Sequence, residues 1–134
     1  MLKRIAAVCL VLVGSVGIQG SATGQAQSQS ALSAQDGLRL MRMVMSVEAS
    51  MKKTGFGTLE QVLGDRMFTQ SPVSIVVTSP GTASVLDYQL RVTRPDDGGR
   101  FEASLTPMSG CSTAWFGTER NLIYTGRALG CPGQ

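Results

Sequence analysis

Histidine is absent from this 134-residue sequence, and its absence removes the commonest general base and the commonest metal ligand together. The 3 cysteines are too few for a zinc site built from four Cys or His ligands. Aromatic residues make up 5% of the chain, which is little for a protein that binds nucleic acid by base stacking. Charged residues account for only 16% and hydrophobic residues for 43%, a balance that favours one folded domain over a disordered chain.

The first residues have the pattern of a secretory signal. Lys3 and Arg4 precede an apolar run, Ile5–Ile18, and the small residues Gly24-Gln25-Ala26 then offer a cleavage site. We therefore predict a signal peptide over residues 1–26, with Gly20-Ser21-Ala22 as a second possible site. The alternative is an uncleaved anchor, but the apolar run is shorter than the roughly 20 residues that span a bilayer.

Cleavage changes the charge and the cysteine count. Removing residues 1–26 leaves 108 residues with 10 basic and 9 acidic side chains, so the net charge falls from +3 to +1. A charge of +1 gives no electrostatic reason to bind nucleic acid or to stay on an anionic membrane. Cys9 is lost, and the remaining pair, Cys111 and Cys131, predicts a disulfide in an exported chain. A redox-active pair is the alternative, but the Cys-x-x-Cys spacing is missing.

The exported chain divides into a linker over residues 27–35 and a domain over residues 36–134. Asp36 is a candidate cap for a helix that runs to about Lys53. Apolar residues recur along that helix at spacings of three and four, and form two strips: Leu40, Met43, Val44, Val47 and Met51, and then Leu38, Met41, Met45 and Ala49. A methionine-lined surface for a partner is one interpretation, and adaptable core packing is the other.

Short strands follow the helix. Residues 58–63 predict one helical turn capped by Thr58, and the β-branched run 73–78 predicts a strand. Residues 88–92 and 101–105 alternate between apolar and polar and flank a turn-forming segment, which predicts a β-hairpin. Residues 114–117 and 121–124 predict two further strands. The fold class that we predict is α+β, with one N-terminal helix packed on a small antiparallel sheet.

Candidate catalytic groups are few, and each has a simpler explanation. Asp96-Asp97 offers calcium ligands, but the pair lacks the alternating spacing of a calcium loop and suits an ordinary turn. Two carboxylate pairs, Glu60 with Asp65 and Glu102 with Glu119, would suit a glycosidase if they converged on a cleft. The serines of Ser109-Gly110-Cys111-Ser112 have no histidine to activate them. We predict no cofactor, no metal site and no enzymatic activity.

The order of these segments resembles the globular region of bacterial type IV pilin-like and type II secretion pseudopilin-like proteins. The resemblance rests on four stretches: residues 54–61 (TGFGTLEQ), residues 88–92 (YQLRV), residues 101–107 (FEASLTP), and residues 114–124 with their final TERNLIY. Asn121 stands where that family usually has glycine. The resemblance implies a helix on a small antiparallel sheet, in a soluble domain in the periplasm or outside a bacterial cell.

The N-terminus departs from that family. Pilins keep a long apolar helix that follows a Gly-Phe cleavage point and carries a glutamate, and no such run occurs here. Filament formation therefore does not carry over from the resemblance.

Three functional hypotheses follow. The first is a secreted, non-enzymatic, pilin-like domain that binds an unidentified protein, with Met41, Met45, Trp115 and Phe116 as the candidate interaction surface. The second is a small secreted inhibitor or ligand-binding module that uses the loop 109–112. The third is a hydrolase that uses carboxylates alone, from the set Glu48, Glu60, Asp65, Asp87, Glu102 and Glu119. The oligomeric state is not indicated by the sequence.

Overall fold

A computed structural model describes residues 31–95, 99–128 and 130–131 of the chain. The predicted signal peptide, linker residues 27–30 and the candidate calcium ligands Asp96 and Asp97 lie outside the described residues. The fold is α+β, as predicted: a long N-terminal helix packs against an antiparallel sheet of six strands.

In the part of the chain that the structure describes, three helices precede the six strands. The helices are α1 (Ala34–Met51), α2 (Leu59–Leu63) and α3 (Arg66–Thr69), and a 3-10 turn (Lys52–Thr54) follows α1. The strands are β1 (Val76–Ser79), β2 (Thr82–Val85), β3 (Tyr88–Thr93), β4 (Glu102–Pro107), β5 (Ala114–Thr118) and β6 (Ile123–Gly126). Each strand pairs with its neighbours in sequence, so the sheet is a meander in the order β1-β2-β3-β4-β5-β6.

Helix α1 begins earlier than the sequence suggested. Ser33 is the N-cap, because its Oγ accepts a hydrogen bond from the Asp36 N–H at 3.1 Å. The prediction that Asp36 caps the helix is therefore wrong, since Asp36 lies in the first turn and its Oδ2 accepts from the Ser33 hydroxyl. Leu32 is buried and its N–H donates to Asp87 Oδ1 at 2.8 Å, so the packed domain starts before residue 36.

The short helix α2 was predicted correctly. The Thr58 Oγ1 accepts from the Gln61 N–H, and the Gln61 side chain accepts from the Thr58 N–H, which completes a capping box. Gly55 precedes it with φ +95, a left-handed conformation that favours glycine. The chain thus turns sharply between α1 and α2 before it enters the sheet.

The β3–β4 hairpin is confirmed, with Leu90 opposite Leu105 and Val92 opposite Ala103. Other strands differ from their predicted ranges. Strand β2 was not predicted, because its four residues are mostly small and lie between two turns. Strand β6 begins two residues later than expected, since Asn121 has φ +58 and belongs to the turn that follows β5.

Helix α1 packs on one face of the sheet, against β4 and β5. A row of buried side chains crosses that inner face: Ala83, Leu90, Leu105 and Trp115. The helix comes very close to the sheet at Gly37, where a Cβ atom would lie 2.5 Å from the Trp115 ring. Glycine at this position therefore lets the indole lie against the helix backbone.

Candidate functional site

Three of the four residues predicted as an interaction surface are in the core. Met41, Met45 and Trp115 are 0–3% exposed, because α1 presses their side chains against the sheet. The surface interpretation of these three residues is wrong, and the alternative of core packing is confirmed. Phe116 differs because neighbouring residues of a strand point to opposite faces, and its ring lies on the side away from α1.

Phe116 has an aromatic partner on this outer face. It lies directly opposite Tyr124 across β5 and β6, and the two side chains are 40% and 53% exposed. No helix of the described residues covers them. We call Phe116 and Tyr124 the outer aromatic pair. The register of β5 against β6 decides that Tyr124, and not another residue of β6, lies opposite Phe116.

Charged side chains border the outer aromatic pair. Tyr124 also lines a shallow cleft of about 360 Å³, whose other walls include Arg100, Glu102, Thr118, Glu119 and Arg120. The Glu119 carboxylate lies 4.0 Å from the Arg120 guanidinium, an exposed contact that contributes little to stability. The Oγ1 of Thr118 is buried and has no hydrogen-bond partner among the described residues.

The predicted carboxylate pairs have different outcomes. Glu102 and Glu119 do line one cleft, next to two arginines. Glu60 and Asp65 instead each stabilise the backbone: Glu60 accepts from the Gly81 N–H and Asp65 accepts from the Met67 N–H to cap α3. The N–H groups of Glu60 itself and of Gly81 hold the pKa of Glu60 below its usual value.

Glu48 is buried and accepts a hydrogen bond from the peptide group between Phe56 and Gly57. It is 0% exposed, and its Oε2 accepts from the Gly57 N–H at 2.8 Å. The Arg94 guanidinium donates to the carbonyl of Phe56, which belongs to the same peptide group. Burial raises the pKa of Glu48, while the Gly57 N–H and Arg94 partly oppose that rise. The other oxygen, Oε1, has no hydrogen-bond partner among the described residues.

The position of Glu48 in the helix could have revealed its burial. It follows Val44 by four residues and precedes Met51 by three, so it falls on the apolar face of α1. An acidic side chain on an apolar helix face indicates that it has a specific hydrogen-bond partner in the core. The sequence analysis instead grouped Glu48 with the candidate catalytic carboxylates. Because its side chain is buried on the inner face of α1, Glu48 holds the chain between α1 and α2 and does not reach a surface site.

A disulfide joins Cys111 to Cys131, as predicted, with their Cα atoms 5.5 Å apart. Cys111 lies in the exposed loop 108–112, and Cys131 is buried. The other end of the loop is also held, because the Met108 N–H donates to the Asp87 carbonyl at 2.9 Å. The loop therefore projects from the domain with both ends fixed.

Loss of the disulfide should expose the segment before Cys131 to proteolysis. In a Cys111→Ser, Cys131→Ser variant we expect trypsin to cut the segment around Arg127 at least tenfold faster, because cleavage requires local unfolding that the crosslink opposes. Limited proteolysis followed by mass spectrometry measures the rate. Cleavage at Arg39 on α1 serves as the internal control and should change much less; an equal rise at both sites would mean that the disulfide stabilises the whole domain.

A groove of about 280 Å³ lies at the start of α1. It is lined on one side by Leu40 and Met43 and on the other by Met67 and the segment 70–73. The methionines that line this groove are Met43 and Met67, and not Met41 and Met45. This groove is on a different part of the molecule from the outer aromatic pair, which makes Met67 a useful reference position.

Comparisons with protein-family models, with curated proteins and with solved structures find no match to this chain. Over residues 31–95, 99–128 and 130–131, no helix is long and apolar enough to span a bilayer. The same described residues contain no cluster of three or more His, Cys, Asp or Glu side chains that would hold a metal ion.

Proposed function

We propose that this chain is a secreted, non-enzymatic, pilin-like domain that acts through protein–protein contact at a bacterial envelope or secretion assembly. The observation that carries the proposal is the outer aromatic pair, two large rings that lie opposite each other on a sheet face left open by α1. The contact surface is therefore placed on the sheet, and no longer on the methionine face of the helix.

The surroundings of the outer aromatic pair suit a protein partner. Tyrosine, phenylalanine and arginine are enriched at the centres of protein interfaces, and charged side chains form their polar rims. Here Arg91 and Ser104 lie in the same cross-strand row as Phe116, and the charged cleft adjoins Tyr124.

Two features support the pilin-like and exported parts of the proposal. The left-handed conformation of Asn121 occurs at the position where the resembling family usually has glycine, which is the residue that adopts this conformation most readily. The Cys111–Cys131 disulfide is of the kind that persists in oxidising compartments such as the periplasm.

Site-specific photo-crosslinking in a producing bacterium tests the contact. A photoreactive phenylalanine analogue at position 116 or 124 should give a discrete adduct, recovered in the periplasm or medium with residues 1–26 removed. The same analogue at Met67, which is 43% exposed on another part of the molecule, should not give that adduct. We further expect Tyr124→Ser to reduce the adduct formed from position 116 at least tenfold, since the partner loses half of its aromatic platform.

Several results would contradict this proposal. Adducts of equal yield from positions 67, 116 and 124 would indicate random collision, and no adduct from either aromatic position would remove the outer face as a contact site. Recovery of the chain with its leader attached would replace the secreted domain with a membrane-anchored one.

A second function is favoured by the loop 108–112. Met108 is 57% exposed at the start of a loop that is fixed at both ends, an arrangement that would suit an inhibitor or a small ligand-binding module. In that case Met108→Ala would abolish the activity and Tyr124→Ser would leave it intact. The third hypothesis now rests on the cleft that holds Glu102 and Glu119, because Glu48 is buried and out of reach of a substrate.

A further inference from the structure

The edge strand β1 is short and irregular after Val77, but it carries no charged side chain to prevent one sheet from joining another. It pairs with β2 on one side, and in the described residues no strand pairs with its other side. All four of its residues are exposed, and Val76 and Val77 are 56% and 47% exposed. Edge strands are commonly protected by lysine or by another charged residue, but the sequence has no charged residue from Met67 to Leu86.

We propose that β1 pairs antiparallel with β1 of a second copy of this chain, so that the two sheets become one continuous sheet. The proposal concerns self-association and stands independently of the function proposed for the outer aromatic pair. A two-fold axis through an antiparallel pair places each strand residue opposite a residue of the same strand in the other copy. A charge on the axis would meet its own copy, and a charge elsewhere in so short a strand would lie close to its copy; β1 has no charge.

Valine side chains suit the centre of such a pair. When the pair is centred on Val77, that side chain lies opposite its own copy, and β-branched residues in directly opposed positions stabilise antiparallel strands. The register of β1 against β2 shifts between Val77 and Ser79, so the regular edge is short and centres on Val76 and Val77. Pro72 and Pro80 lie outside β1 and leave its backbone N–H groups in place.

The opposite edge of the sheet is less suited to self-pairing. Strand β6 is followed directly by exposed Arg127, and Arg120 lies in the turn before it. A two-fold pairing of β6 would bring copies of these cations to the same seam, where like charges repel. Self-association is therefore assigned to β1. A contact between β1 of one copy and β6 of another would instead build an open chain of copies, and the test distinguishes that outcome.

Sedimentation of the chain, as it is recovered from the exporting host, tests the proposal. Because the contact is short, we expect a weak dimer that is populated at about 100 µM and dissociated at about 1 µM. Val77→Lys should weaken dimerisation at least tenfold by placing two ammonium groups opposite each other. Leu122→Lys, which alters a similarly exposed apolar residue beside β6, should leave the dimer unchanged.

Amide hydrogen exchange tests the proposal on the unaltered chain, so the result does not require that a variant folds. At 100 µM the amides of residues 76–79 should exchange several-fold more slowly than at about 1 µM, whereas those of β6 should not change. A monomer at 100 µM overturns the proposal, and so does a dimer that withstands Val77→Lys. Protection of β6 together with β1 would instead indicate an open chain of copies.

Discussion

Replacing Gly37 with alanine is expected to lower the free energy of unfolding by about 2 kcal/mol. Alanine is the better helix former by about 1 kcal/mol, so an exposed helix would gain from the change. Here the added Cβ would lie 2.5 Å from two carbons of the Trp115 ring, and a buried indole has no room to retreat. Overpacking of this kind costs about 3 kcal/mol, which outweighs the gain. Urea denaturation monitored by circular dichroism measures the difference.

A double-mutant cycle separates this clash from other effects. Trp115→Phe removes the outer ring atoms that the new Cβ would meet, so Gly37→Ala should cost at least 1 kcal/mol less in that background. Gly126→Ala provides a control, because its Cβ would come no closer than 3.6 Å to Phe116, on the outer face. If Gly37→Ala were neutral or stabilising, the close approach of α1 to the sheet would be wrong.

Replacing Glu48 with alanine is expected to cost about 3 kcal/mol of stability. The change removes the acceptor of the buried Gly57 N–H, and it leaves a cavity between α1 and the chain that precedes α2. Glu48→Gln keeps a carbonyl oxygen for that N–H, so we expect it to retain most of the stability. A similar loss in both variants would show that the carboxylate itself, and not the hydrogen bond, holds this region.

Glu48 also predicts a pH dependence. Its pKa in the folded chain is raised above the usual 4.5 because burial disfavours the charged form. The folded state therefore binds the proton more tightly than the unfolded state, and this contribution to stability is full below pH 4.5 and is lost as the pH rises through the raised pKa. Glutamine does not titrate, so Glu48→Gln should gain stability relative to the unaltered chain as the pH rises through that window.

Glu60→Gln is the matched control for the pH experiment, because the pKa of Glu60 is lowered. Its stabilising contribution is present above pH 4.5 and is lost as the pH falls through the lowered pKa. Denaturation curves measured between pH 3 and pH 8 give the free energy of unfolding of each variant relative to the unaltered chain. This difference should change with pH in opposite directions for Glu48→Gln and Glu60→Gln. A constant difference between Glu48→Gln and the unaltered chain would contradict the burial of an ionisable Glu48.

Local signals in the sequence were sufficient for the parts of the fold that form from neighbouring residues. The Thr58 cap of α2 and the alternating strands of the β3–β4 hairpin were predicted because their partners lie close in sequence. The cap of α1 was misplaced by three residues, since both Ser33 and Asp36 are good caps and only the packing of Leu32 decides between them.

The candidate site depends on register and on packing, and these were not predictable from one sequence. Trp115 and Phe116 are neighbours and are both aromatic, so no local sequence pattern determines which of them faces α1. The pairing of Phe116 with Tyr124 follows from where the β5–β6 turn ends, and the turn is longer than expected because Asn121 is left-handed. The burial of Glu48 needs the chain near Gly57 to fold back over α1.

The meander has a consequence for the order in which the domain is made. Each strand joins the one before it, so the sheet can grow as successive hairpins while the chain is being made. Helix α1 precedes the strands in the chain, but its main contacts are with β4 and β5, and Gly37 and Trp115 are 78 residues apart. Until β5 arrives, the apolar side chains of α1 have no sheet to cover them. We therefore expect the newly made chain to depend on a chaperone that shields this helix, and chains truncated before Ala114 to be degraded quickly.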